Sequence, residues 1–487
     1  MKILRNTYTA FFLVTLLVSC SKYLEKEPDN RANLNTPQKV SQLLGTAYPQ
    51  SNYIPFTETF SDNVGDNGTF SDFMGASQLT ANADAFFFRD TRSTDQDTPE
   101  DYWFACYKAI AAANQALKAI SEARDQDAYR AQRGEAMVAR AYAHFMLVNL
   151  FSKFYDAATA GTDPGIPYVT EPETNFIKQY SRENVAYVYE MIEKDLTEGM
   201  GYIDDNAYTI PKYHFTRLAA YAFATRFYLY KKDYEKVIHY ATLAVPNNNY
   251  LPNLRPWNTE YNSIGLNDIS PRYARATENA NILLVETPSV WRRTYAAARY
   301  SMTPAIRNQI LRTVPVAGGN WAIPTGSYVD QHFVVPKIHE HFVTEDVNAE
   351  IGVAYITIPL FAMEEVLFNL AEAYTYTDQP NLAIQLLNTY LSTRITAFTT
   401  ANNLSASKIT SFWGGNIREG LIQTILAYRR TEFIHEGLRW FDVLRYRIPV
   451  THVTLEGETY TLEPDDPRRV FQIPPTTTQS GLEQNAR

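Results

Sequence analysis

Apolar residues recur every three to four positions in several long stretches of the chain, and this spacing places its helices. In DYWFACYKAIAAANQALKAISEA (101–123), Trp103, Tyr107, Ile110, Asn114, Leu117 and Ile120 fall on one face. The pattern is denser in RGEAMVARAYAHFMLVNLFSKFY (133–155), as expected of a central helix surrounded by others. SRENVAYVYEMIEKDLTEGM (181–200) opens with Ser181 as the expected N-cap, followed by Val185, Val188, Ile192 and Leu196. HFTRLAAYAFATRFYLYKKDYEKVIHYATLAV (214–245) splits at Lys231-Lys232-Asp233 into two helices and stops at Pro246. PLFAMEEVLFNLAEAYTYTDQPNLAIQLLNTYL (359–391) splits in the same way near Thr377-Asp378-Gln379-Pro380.

The last two segments share one layout: a helix rich in Ala and aromatics, a short polar turn, then a second amphipathic helix. That is the layout of a tetratricopeptide-like unit, which buries its faces only by stacking on neighbours. The two units stand far apart in the chain instead of in tandem. Between them, roughly 250–355, the sequence is rich in Pro, Asn, Gly and Trp. The expected fold is mostly α: tetratricopeptide-like helix pairs form a scaffold packed against a loop-rich, irregular second half. Loop-rich excursions fall near 50–100 and 250–355, and loops on a rigid scaffold are where binding concentrates.

RRTEFIHEGLRWFDVLRYR (429–447) mixes charges of both signs with aromatics. As a helix, Ile434, Leu438, Phe441 and Leu444 form an apolar stripe. Glu432, Glu436 and Arg439 stand at spacings of four and three and can pair along one side. Gly437 costs a helix about 1 kcal/mol, so a bend or break is expected there. Acidic residues among the basic ones argue against a nucleic-acid face.

Composition narrows the class. The chain has 487 residues, 45% of them hydrophobic, with 34 Tyr, 26 Phe and 6 Trp and a net charge of −9. This is a globular, acidic chain with no long basic run, which argues against nucleic-acid partners. At the N-terminus, Lys2 and Arg5 precede a short apolar run, Ala10 to Val18, too short to span a bilayer and laid out as a secretory leader. Leu17-Val18-Ser19-Cys20 resembles the bacterial lipobox, which makes 1–19 a lipoprotein signal peptide and Cys20 the lipidated residue. Lipidation there leaves only Cys106, so no intramolecular disulfide is expected. Acyl chains on Cys20 would tether a water-soluble body, residues 20–487 read as a single domain, to a membrane.

The 429–447 stretch resembles the C-terminal signature of the SusD-like (RagB/SusD) nutrient-binding outer-membrane lipoproteins. The matching positions are Arg429, Arg430, Glu432, Phe433, Glu436, Gly437, Arg439, Trp440, Phe441, Asp442 and Arg445. Other stretches match that family in order: CSKYLEKEP, Trp103/Tyr107/Ile110/Asn114, Arg140-Ala141-Tyr142-Ala143-His144-Phe145, Ser181-Arg182 through Leu196, and Glu364 through Ala373. The tail departs from the family's usual close, ending Leu482-Glu483-Gln484-Asn485-Ala486. The resemblance implies non-catalytic capture of a nutrient, usually a glycan, at the outer surface of the outer membrane. Its implied partner is a TonB-dependent β-barrel transporter, and 429–447 becomes part of the scaffold.

Sugars offer C–H faces that sit on aromatic rings and hydroxyls that need planar polar partners. Two loop regions offer both. One carries Asp62, Asn63, Asp66, Asn67, Phe87 and Arg89; the other carries Trp257, Trp291, Arg292, Tyr295, Tyr300 and Trp321. The expected ligand platform is Trp291, Tyr295 and Trp321, with Arg89 and Asp66 as polar contacts. Trp103, Trp413 and Trp440, on helices, are expected inside. DNVGDNG lacks the order of a calcium loop, and His339 with His341 lacks a third ligand, so no metal is expected. No Walker loop or dinucleotide fingerprint is present, and no cofactor is expected. The rival classes are a surface glycoside hydrolase, which needs two facing carboxylates, and a tetratricopeptide assembly scaffold.

Overall fold

The structure is a computed structural model that describes residues 34–70, 74–173, 178–295, 297–329, 332–344 and 352–487. The leader, Cys20 and the CSKYLEKEP stretch lie outside the described residues. Among those described, no helix is long and apolar enough to cross a membrane.

Two short helices, α1 (Pro37–Leu44) and α2 (Ile54–Phe60), lead into strand β1 (Gly65–Asp66) and helix α3 (Ala76–Phe86). The long helices follow: α4 (Pro99–Glu122), α5 (Arg130–Phe151), α6 (Val185–Met200), α7 (Arg217–Lys231) and α8 (Tyr234–Ala244). α4 begins where the Thr98 hydroxyl accepts the Asp101 N–H, with Pro99 in the first turn and Glu100 and Asp101 against the positive end of the helix. α5 is buried almost all round, as its dense pattern requires. Gly134 lets α5 approach the end of α6: a Cβ there would lie 2.6 Å from the Ile203 nitrogen. α6 is capped by Asn184, whose side chain accepts the Tyr187 N–H, and not by Ser181. Ser181 instead accepts the N–H of Glu183, three residues too early to start the helix.

The break between α7 and α8 falls at Lys232, which takes the left-handed conformation (φ +62°), and the Asp233 side chain caps α8. Later come α9 (Met363–Tyr376), α10 (Pro380–Leu391), α11 (Ala406–Trp413), α12 (Ile417–Glu432) and α13 (Leu438–Arg445). α7 packs on α8, α8 on α9, and α9 on α10, so the two separated pairs are neighbours in space. One boundary differs from the periodicity. Pro359 to Ala362 are strand, because α9 starts only at Met363. They extend a β-branched and aromatic run, VAYITIPLFA, that pairs along its length.

Among the described residues, the strands lie in the second half apart from β1. β2 (Asn281–Pro288), β7 (Val353–Ala362) and β6 (His339–Val343) form one antiparallel sheet in that order. β3 (Tyr300–Ser301) pairs with β1, β4 (Gly326–Val329) with β5 (His332–Val334), and β8 (Val450–Val453) with β9 (Thr459–Leu462). The protein is therefore mostly helical, with its minor strand content and irregular chain concentrated later in the sequence.

Buried ion pairs fasten the two halves. Arg226 on α7 makes a two-pronged contact of 2.6 Å with Glu365 on α9. Arg394 reaches Glu364 (2.8 Å) and Glu432 (2.8 Å), and Arg255 holds the other Glu364 oxygen (2.8 Å). α12 ends at Glu432; Gly437, at φ +71°, separates it from α13. Glu432, Glu436 and Arg439 do not pair along one helix side. They reach Arg394, Lys337 and Asp62, because the break at Gly437 turns them toward different neighbours. The altered tail still docks: the Asn485 side-chain amide donates to the carbonyls of Phe151 (3.0 Å) and Phe471 (2.9 Å).

Candidate functional site

The two loop-rich excursions meet. β1 and β3 pair Gly65 with Ser301 and Asp66 with Tyr300. Asp66 accepts two bonds of 2.7 Å from Arg299, and the Asn67 amide donates to the Ser301 hydroxyl (2.9 Å). Burial works against the Asp66 charge, but Arg299 and two backbone N–H groups outweigh it and hold its pKa below the ordinary carboxylate value. On the inner side, Tyr300 stacks on Phe86 at 4.0 Å and Phe86 on His452 at 4.6 Å. This junction is the candidate site.

Trp291 opens a single helical turn against it. Its backbone N–H is taken by the Ser289 hydroxyl (3.1 Å), and its indole N–H by the His435 carbonyl (3.3 Å). Trp291 and Tyr295 come together as expected, with ring centres 5.4 Å apart. Both face inward: Trp291 is 5% exposed and Tyr295 1%. Trp321 is not with them. It stands edge-on to Tyr428 at 5.3 Å and lines a different cleft. Arg89 is exposed, with its guanidinium 4.7 Å over Phe87, and connects to Asp66 only through Phe87, Tyr300 and Arg299. The five residues therefore do not form one platform; Trp257 is fully buried as well.

A residue that the sequence did not single out stands beside Trp291. Asp97 sits in the left-handed conformation (φ +69°) just before the α4 cap. One carboxylate oxygen accepts the Val290 N–H (3.0 Å), and the Ser289 hydroxyl and Gln96 amide stand beside the same carboxyl. Burial pushes this carboxyl up to about 7. With Trp291, Thr294, Gln78 and Asn82 it lines a narrow cleft of about 30 Å³. Such a space admits one water-sized group and no sugar ring. The left-handed turn that swings Asp97 inward leaves no periodic trace in STDQDTPE.

A hydrolase's pair of facing carboxylates is not formed by Glu364, Glu365 and Asp62, which arginines neutralise. Glu364 and Glu365 hold arginines in the core, and Asp62 is paired to Arg439 at 2.8 Å. Burial opposes the Asp62 charge, but Arg439 and Arg430 prevail and hold its pKa at about 2. His339 and His341 share a strand face with rings 6.3 Å apart, while Glu340 turns to Arg293 (2.8 Å). Trp103 and Trp440 are buried as expected; Trp413 is not, at 39% exposed. The two glycines that follow it, Gly414 and Gly415, both left-handed, end α11 at the surface, and that signal stands in the sequence.

Two family models match successive parts of the chain. Residues 22–229 match one described as starch-binding associating with outer membrane, and residues 237–480 match the SusD family. The chain belongs to the SusD family. SusD-like protein P38 of Formosa agariphila is 23% identical over 387 residues, 70% of this chain and 71% of that protein. Among solved structures, a SusD superfamily protein from Bacteroides thetaiotaomicron aligns with a TM-score of 0.70 at 18% identity, covering 93% of this chain and all of that one. A SusD-like carbohydrate binding protein from Bacteroides vulgatus aligns with a TM-score of 0.63 at 16% identity, over 92% of this chain and 96% of that one. At these identities the structural likeness shows the fold. Membership of the SusD family places the protein among outer-membrane nutrient-binding proteins, which bind and do not catalyse.

Proposed function

We propose that this protein captures a glycan at the cell surface and passes it to a TonB-dependent β-barrel transporter. Family membership along both halves of the chain carries this reading. In it, residues 1–19 are a lipoprotein leader, acylated Cys20 is the anchor, and residues 20–487 act as one unit. The helix pairs α7–α8 and α9–α10 stack as tetratricopeptide-like repeats and carry the binding loops.

The glycan is taken at the junction of the two excursions. Asp97 offers a buried carboxyl in the wall of the cleft, beside Ser289 and Gln96, that can exchange a hydrogen bond with a sugar hydroxyl. A sugar lying over the cleft would insert one hydroxyl toward Asp97, past the nearly buried Trp291 in the cleft wall. Tyr295 supports the Trp291 ring from behind. Asp66 and Arg299 fix the floor, and Arg89 adds donors at the rim. Trp321 serves the neighbouring cleft.

Retardation of residues 21–487 in native gels cast with polysaccharides tests this site. A glycan that retards the parent should release the Asp97→Asn and Trp291→Ala variants. Retardation unchanged in both variants would move the site elsewhere, and release of shortened products would refute a binding-only role.

A further inference from the structure

The cleft that Trp321 lines has a second feature of its own. Its volume is about 560 Å³, within the range of small-ligand sites. At its mouth stand Phe412 and Trp413, 50% and 39% exposed, with ring centres 4.9 Å apart and nearly perpendicular. Trp413 is held in place. Its indole N–H donates to the Thr424 hydroxyl at 2.9 Å, and that hydroxyl donates in turn to the Gly420 carbonyl at 2.7 Å. The ring plane is therefore fixed without ligand, which lowers the ordering cost of binding.

The rest of the lining is polar on one side. Gln423 and Thr313 offer an amide and a hydroxyl. Arg430, Arg439 and Arg447 line it too, with no carboxylate among the lining residues. Arg430 and Arg439 share one counter-ion, Asp62, and Arg447 pairs with Asp465, so three guanidiniums meet two carboxylates and the wall keeps one excess positive charge. Arg430 is fixed as well, donating to the Asn63 side-chain oxygen at 2.9 Å.

We propose that this cleft is a second carbohydrate-binding site, separate from the junction, for a chain segment bearing carboxylate or sulfate groups. It rests on the glycan-capture reading. A sugar face would stack on Trp413 with Phe412 at its edge, and an acid group would face Arg430 and Arg439. Fixed aromatic planes beside an amide, a hydroxyl and guanidinium groups suit a polyhydroxylated anion better than an apolar helix, which would bring no group to the surplus positive charge.

The test uses residues 21–487 in native gels cast with polygalacturonate, alginate or a sulfated galactan, and with starch, galactan and xylan as neutral counterparts. At least one acidic polysaccharide should retard the parent, and Trp413→Ala should weaken that affinity about tenfold. Trp413→Phe should keep most of it. Phe412→Ala, at a half-exposed position, serves as a second variant if Trp413→Ala proves unstable. The Asp97→Asn and Trp291→Ala variants separate the two sites. Loss in those variants alone, with Trp413→Ala and Phe412→Ala binding like the parent, overturns the second site and leaves glycan capture standing. Loss confined to neutral polysaccharides overturns the anionic class. No retardation by any of the six overturns this proposal and counts against the capture reading as well.

Discussion

Arg299 closes on Asp66 through two parallel bonds of 2.7 Å, across 233 residues of sequence. This pair joins the two excursions that carry the candidate site. Arg299 remains a third exposed, so water recovers part of the interaction when it is broken. Asp66→Ala also strips acceptors from the N–H groups of Gly68 and Leu455. The expected cost is about 1–2 kcal/mol of stability, read as a lower urea midpoint, together with weaker retardation by any glycan that binds the junction. Normal binding would mean that the junction holds without this pair.

Arg394 is the hinge of the buried charge network. Its guanidinium serves both Glu364 and Glu432, all three side chains being fully buried. Arg394→Met should cost about 3–5 kcal/mol, because Glu432 keeps only Tyr390 and loses its counter-ion. Adding Glu432→Leu should recover much of that loss, since the unpaired charge is then gone. A denaturant midpoint for each variant reads this directly. Equal losses in the single and double variants would place the cost in packing.

Gly437 ends the α12–α13 turn at φ +71°, where a Cβ would press on Thr57 and on the Ile54 backbone. Gly437→Ala should therefore lose about 1–3 kcal/mol from backbone strain, and the crowding against α2 adds to it. Adding Thr57→Ala removes the nearest clash, so the melting temperature it restores measures crowding and the remaining loss measures strain.

The pH dependence has two opposite contributions. Burial raises Asp97 and Glu58 from ordinary values of 3.8 and 4.5 to about 7. A raised folded value means that their stabilising share is full below about pH 4 and is lost as pH rises through 7. Asp62, held at about 2 with Arg439 and Arg430 outweighing its burial, adds stability above about pH 4 and loses it as pH falls through 2. Asp97→Asn should thus reduce the drop in melting temperature between pH 5 and pH 8.5. An unchanged drop would show that Asp97 does not titrate there.

The helices were legible because burial imprints a period on the sequence, as in α4, α5 and the α7–α8 and α9–α10 pairs. The break at Gly437 was legible for the same local reason. What escaped depended on distant neighbours. The charges of 429–447 looked like one helical ladder, yet Glu432, Glu436 and Arg439 each find a partner outside the stretch. Pro359–Ala362 continue a helix-like apolar run but are claimed by pairing with β2. At the site, the rings of Trp291 and Tyr295 lie together, but no local signal told that they face inward or that Asp97 turns in beside them.

The most direct measurement is co-purification of the tagged full-length chain from detergent-solubilised outer membranes of the organism that encodes it. A TonB-dependent β-barrel should come with it in near-equal amount and stay through washing. Recovery of the chain alone, or with an assembly that contains no β-barrel, would contradict capture for a transporter.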